Sequence, residues 1–143
     1  GVCPGWGGSQ MLPARIDPAT AICATATGSP FMSSDVPSGL IDVLVETPDD
    51  LTTACETWLE GQSASSDTPK AITPQECDVY SDALKKARNE TERTEAATSV
   101  FLAVETGTRT GWSAAVAVEQ CELVRLRNTP VAQEKLDAFL SKG

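Results

Sequence analysis

Three times this chain repeats one helix-start phrase: Thr47-Pro48-Asp49-Asp50, Thr73-Pro74-Gln75-Glu76 and Thr129-Pro130-Val131-Ala132. A Thr at the N-cap can accept a hydrogen bond from an unpaired N–H of the first turn. Pro is preset for the first helical position, where no donor is needed. The second copy also has the form of a capping box, with Glu76 placed to reach back to the Thr73 N–H. These phrases predict helices beginning near positions 48, 74 and 130.

Between the phrases the apolar residues keep helical spacing. Leu51, Ala54, Cys55, Trp58 and Leu59 recur at one face of a helix over 48–60, with Gly61 placed to end it. Asp49 and Asp50 suit the positive end of that helix dipole. Together with Glu46 they make the densest carboxylate group, and dipole complementation accounts for them without acid–base chemistry. Residues 62–72 form a polar linker. Over 74–105, Cys77, Tyr80, Leu84, Ala87, Thr91, Thr94, Thr98 and Phe101 follow a 3,4 spacing, a heptad seam whose centre is hydroxylated. That centre is either a break between two helices or a close-approach surface for a partner helix, which makes Thr91, Thr94 and Thr98 candidate partner contacts. Asp82–Lys86 and Arg88–Glu92 are set at i,i+4.

Residues 106–111 read as a turn, and lack the Lys of a phosphate-binding loop. The stretch 111–127 is apolar nearly all round, from Trp112 to Leu126, and is expected to be the central helix. Helix 130–141 is expected to turn Ala132, Leu136, Phe139 and Leu140 inward. The fold class is therefore all-α: about four helices in an up-down bundle over 47–143. An irregular Gly/Pro/Ser-rich segment, 1–46, would wrap it within one domain. In that segment Asp17-Pro18 can cap a short helix ending at Gly28, and Leu40 to Val45 is a short apolar run, strand or buried helical turn. Trp6, flanked by glycines, is either a core plug or an anchor into another subunit.

Composition narrows the chemistry. The chain of 143 residues has no His, which removes Ser/His/Asp and Cys/His catalysis and His-ligated zinc. The five Cys show no C-x-x-C spacing. The net charge of −9 is uneven: residues 1–84 carry Arg15 and Lys70 against twelve carboxylates, while 85–143 are nearly balanced. Neither half is the dense basic face that nucleic acid requires. No apolar run reaches the ~20 residues of a membrane span.

Cys3–Cys23 and Cys55–Cys77 are the candidate disulfides. Cys77 and Cys121 would lie about 42 Å and about 15 Å from the turn joining their helices, too far apart to bridge. Cys121 is therefore expected as a buried free thiol. The start, Gly1-Val2-Cys3-Pro4, has no initiator Met. Processing of a targeted precursor is one explanation and an incomplete chain another.

These readings favour a non-catalytic accessory subunit bound to other protein subunits of a larger assembly. An extrinsic position on a photosynthetic or respiratory membrane complex, in the thylakoid lumen or mitochondrion, would suit it. No cofactor, metal or nucleic acid is expected. The alternative is a secreted, disulfide-stabilised helical protein that binds or inhibits an enzyme or receptor.

Overall fold

The computed structural model describes residues 1–61 and 70–141. Among these the chain is all-helical, with seven α-helices and no strand: α1 (Gly8–Met11), α2 (Pro18–Thr27), α3 (Leu51–Glu60), α4 (Cys77–Glu90), α5 (Glu95–Thr110), α6 (Trp112–Arg127) and α7 (Pro130–Leu140). Most of the expected linker, 62–69, lies outside the described residues.

All three Thr-Pro phrases start helical structure at the proline. Only Thr129 caps as expected, accepting from the Ala132 N–H at 3.3 Å. Thr47 and Thr73 instead donate their hydroxyls to Asp50 and Glu76, at 2.7 and 2.8 Å. Each of those helices enters through a 3-10 turn, Pro48–Asp50 and Pro74–Glu76. A carboxylate at the third helical position competes for the Thr hydroxyl, so the capping box closes side chain to side chain.

The hydroxylated stretch at 91–94 is a break. Thr91 ends α4 in an extended conformation, and Thr94 caps α5 through the Ala97 N–H at 3.1 Å. The helix then runs through the expected turn to Thr110 and reverses at Gly111. The ion pairs also differ from expectation: Asp82 pairs with Lys85 and Arg88 with Glu105.

The core is centred on α5, not on the 111–127 helix. α5 packs against α1, α2, α4 and α6. One face buries Ala97, Val100, Phe101, Val104 and Thr108, and a second, narrower face buries Ser99, Ala103 and Gly107. Small side chains every fourth residue let α1 and α6 come close. On Gly107 a Cβ would collide with the Gln10 amide, so the close approach requires glycine there. Ile22, Leu84, Leu126, Tyr80 and Ile72 complete the cluster. Full burial of an aliphatic side chain of this size contributes about 1.5–3 kcal/mol.

The first 28 residues are part of this core and do not wrap it. Asp17 caps α2 by accepting from the Thr20 N–H at 2.9 Å. α2 then inserts Ile22 and Ala26 between α4 and α5. The peripheral part is residues 29–61. Leu40 to Val45 forms neither strand nor helix and is largely exposed. α3 packs on no other described helix, only on the 3-10 turn that leads into it. Among the described helices α7 touches only α6, with Gly1 packed on Ala132 and Lys135, and of its four expected inward residues Ala132 alone is buried. The four expected bundle helices are therefore not a packed set. Their amphipathic patterns are real, but two of the apolar stripes, on α3 and α7, face outward.

Candidate interaction surface

α6 carries Trp112, Val116, Glu119 and Leu123 along one stripe, at helical spacing. The N-terminal segment lies on this stripe. Leu123 sits against Gly5 and the Trp112 ring against Gly7, each too close to admit a Cβ. Glu119, fully enclosed, holds the segment down. Its carboxylate accepts from the Gly7 N–H at 2.5 Å, the Ser9 N–H at 2.8 Å and the Ser9 hydroxyl. Gln10 extends the cluster, donating to Ser9 Oγ at 2.9 Å and to the Ala103 carbonyl at 3.1 Å. Ser9 and Glu119 are both sealed from solvent, so the pair fastens backbone and presents no nucleophile to a substrate.

This latch has a consequence at the surface. Trp6, between two glycines packed onto α6, is 79 % exposed. It fills no hole in the core; the backbone on either side of it is fixed while its ring projects.

Thr91 is buried, its hydroxyl donating to Cys23 Sγ at 3.7 Å. Thr94 is spent on the α5 cap. Thr98 is exposed and borders a shallow depression of about 440 Å³ with Arg88, Phe101 and Leu102. The three threonines therefore do not form one surface.

All five thiols are free, so neither Cys3–Cys23 nor Cys55–Cys77 is bridged in the structure. Cys55 stands on the detached α3, while Cys77 opens α4 in the core domain. Cys3 is buried beside Glu119, and burial, reinforced by that neighbouring carboxylate, pushes its thiol up to about 11. Cys121, expected to be buried, is exposed, because α6 buries only Ala115, Glu119 and Leu126 and Cys121 is off that face. Cys55 is exposed as well.

An uncovered apolar groove lies on the arm of residues 29–61. Arg15 ties the arm to the core domain, donating to the Gly39 carbonyl at 3.0 Å and to Asp42 at 3.3 Å. Gly39 has φ +90° and leaves no room for a side chain over the Arg15 carbonyl, so the chain crosses there at close quarters. Beyond the crossing, Ile41, Val43 and Val45 face Leu51, Trp58 and Leu59 of α3 across a groove of about 330 Å³. Leu59 is 62 % and Trp58 40 % exposed. Helical periodicity identified the α3 stripe but not what it would meet. Its opposite wall is the 41–45 run, which has no regular structure of its own.

A second network joins α5 and α6; its Glu122–Arg125 pair sits at i,i+3, but its partners on α5, Glu95 and Ser99, had no signal in sequence spacing. Arg125 donates to Glu122 at 2.8 Å, to Glu95 at 2.6 Å and to Ser99 Oγ at 3.2 Å. Hydrogen bonds from Arg125 and Ser99 hold the Glu122 carboxyl below the usual carboxylate range. Among the described residues no group of three or more potential ligands is placed to hold a metal ion. No helix among the described residues is long and apolar enough to cross a membrane. No protein-family model matches the chain, and neither a curated protein nor a solved structure is significantly similar to it.

Proposed function

We propose that this chain is a non-catalytic accessory subunit of a larger protein assembly. The observation that carries the reading is the pair of amphipathic helices, α3 and α7, whose apolar stripes stay largely exposed and are buried by no other described helix. Scattered exposed apolar residues are ordinary on a monomer, but contiguous ones mark contact surfaces. On α7 Leu136, Phe139 and Leu140 are exposed together, and on α3 Leu51, Trp58 and Leu59. Trp6 adds a projecting aromatic on a fixed backbone, the kind of side chain that anchors interfaces. The large assembly would be an organellar one, with this chain extrinsic to a photosynthetic or respiratory membrane complex. The secreted alternative draws on cross-links, acidity and a processed start, and the free thiols lend no support to the first of these.

Cross-linking of the native particle through lysines, read by mass spectrometry, tests the proposal. We expect Lys135, on α7, to be joined to residues of other polypeptides. Links confined to this chain would refute it.

A further inference from the structure

The groove between residues 41–45 and α3 is apolar inside and acidic around its rim. Asp42 lines it, Asp50 lines the adjoining depression, Glu46 and Asp49 are exposed on the chain that joins the two walls, Glu56 and Glu60 add exposed charge to α3, and the sequence has no Lys or Arg between Arg15 and Lys70. Among the described residues, Asp42 alone of the six has a basic partner, Arg15. The apolar side chains of one wall and the α3 stripe of the other give a trough as long as α3, whose ten residues span about 15 Å. A helix presenting anchors at i, i+3 or i+4 and i+7 covers that length.

We propose that this groove docks an amphipathic helix of a partner protein, one with an apolar face flanked by Lys or Arg. The inference rests on the accessory-subunit reading and names the chemistry of one partner. Charge selects this occupant over the others. A second copy of the chain would bring another net −9 toward an acidic rim. The chain's own exposed helix, α7, carries Glu134 and Asp137 against Lys135, so it adds no basic flank. Anionic lipid headgroups would be repelled by the same rim. A basic helix gains on both counts: its apolar face fills the trough, and its flanks meet the carboxylates and speed encounter.

Cys55 lines the groove and Cys121, on α6, is exposed away from it, so the protein carries its own probe and control. The test uses the full chain with an 18-residue Leu/Lys amphipathic peptide, and the same peptide with Glu in place of Lys. Alkylation at each thiol is followed by mass spectrometry. We expect the Leu/Lys peptide to slow alkylation of Cys55 and leave Cys121 unchanged. The Leu/Glu peptide should protect neither. Trp58→Ala should weaken the protection about tenfold, a typical loss for an interface aromatic. Glu46→Lys, which alters an exposed side chain outside α3 and its entry turn, should weaken it too, and raised salt should do the same to the parent chain. Neither variant touches the core domain, so helical circular dichroism should hold.

Equal protection by both peptides, or protection indifferent to Trp58→Ala, overturns the proposal. So does protection of Cys55 by zwitterionic vesicles or by concentrating the chain alone, which would indicate a membrane or a second copy. The two readings fail separately. If the chain sits in a large particle with Cys55 freely reactive there, the groove proposal falls and the accessory reading stands. If Cys55 is protected by the basic peptide but the native chain runs free, the reverse holds.

Discussion

Glu119 takes three hydrogen bonds from Gly7 and Ser9 while fully enclosed, and those bonds fix the N-terminal segment on α6. Removing the acceptor strands donors that water cannot reach. Glu119→Ala should therefore cost about 3 kcal/mol in chemical denaturation, within the range for buried bonds to a charged group. A change below about 0.5 kcal/mol would show that the segment is held some other way. Gly107 gives a sharper case. Helix propensity alone would make Gly107→Ala stabilising by about 1 kcal/mol. Collision with Gln10 should reverse the sign, and trimming Gln10 to Ala in the same chain should restore the gain. Nothing in the sequence singled out Glu119 or Gly107. One stood inside an otherwise apolar helix pattern, the other in what reads as a turn, and their partners lie 93 or more positions away. The thiols differ by burial: at pH 8, Cys55 and Cys121 should alkylate first and Cys3 last, since a thiol pushed up to about 11 holds little thiolate. Fast labelling of Cys3 would contradict its enclosure.

At the level of elements, the helix starts at Pro18, Pro48, Pro74 and Pro130 were legible because caps and prolines are local chemistry, while the end of α5 at Thr110 fell inside an expected turn. Asp17, Thr94 and Thr129 each cap through a side chain three residues from its donor. Partnering was not legible, because an apolar stripe has the same period whether it faces a core or an empty side. α5 and α3 show the difference. Both are amphipathic, but α5 buries eight residues and α3 none. A ten-residue helix is marginal in water without tertiary support. Amides of α3 in the isolated chain should therefore exchange with solvent far faster than those of α5. Leu59→Ala should change stability by less than about 0.5 kcal/mol, against about 2–5 kcal/mol for Leu126→Ala. Equal protection of α3 and α5 would mean that the arm folds with the core.

For the molecule as a whole, charge and pH act through a few groups. Asp17, hydrogen-bonded by the Thr20 N–H and hydroxyl, and Glu122, bonded by Arg125 and Ser99, are held below the usual carboxylate range. Their stabilisation is complete above the unfolded carboxylate range, about pH 4, and is lost as pH falls through the folded values. Cys3 acts in the opposite sense. Its pKa is raised from 9.0 to about 11, so the fold loses stability as pH climbs between those values, and Tyr80, raised by burial, adds to the loss. The thermal midpoint should therefore fall below about pH 5 and again above about pH 8.5. The central claim is that the outward stripes of α3 and α7 belong to an assembly. The most direct measurement is the size at which the native chain migrates in a source extract under mild detergent, followed with a chain-specific antibody. We expect it in a particle of hundreds of kilodaltons. Migration as a free species near its own 15.0 kDa would contradict the account.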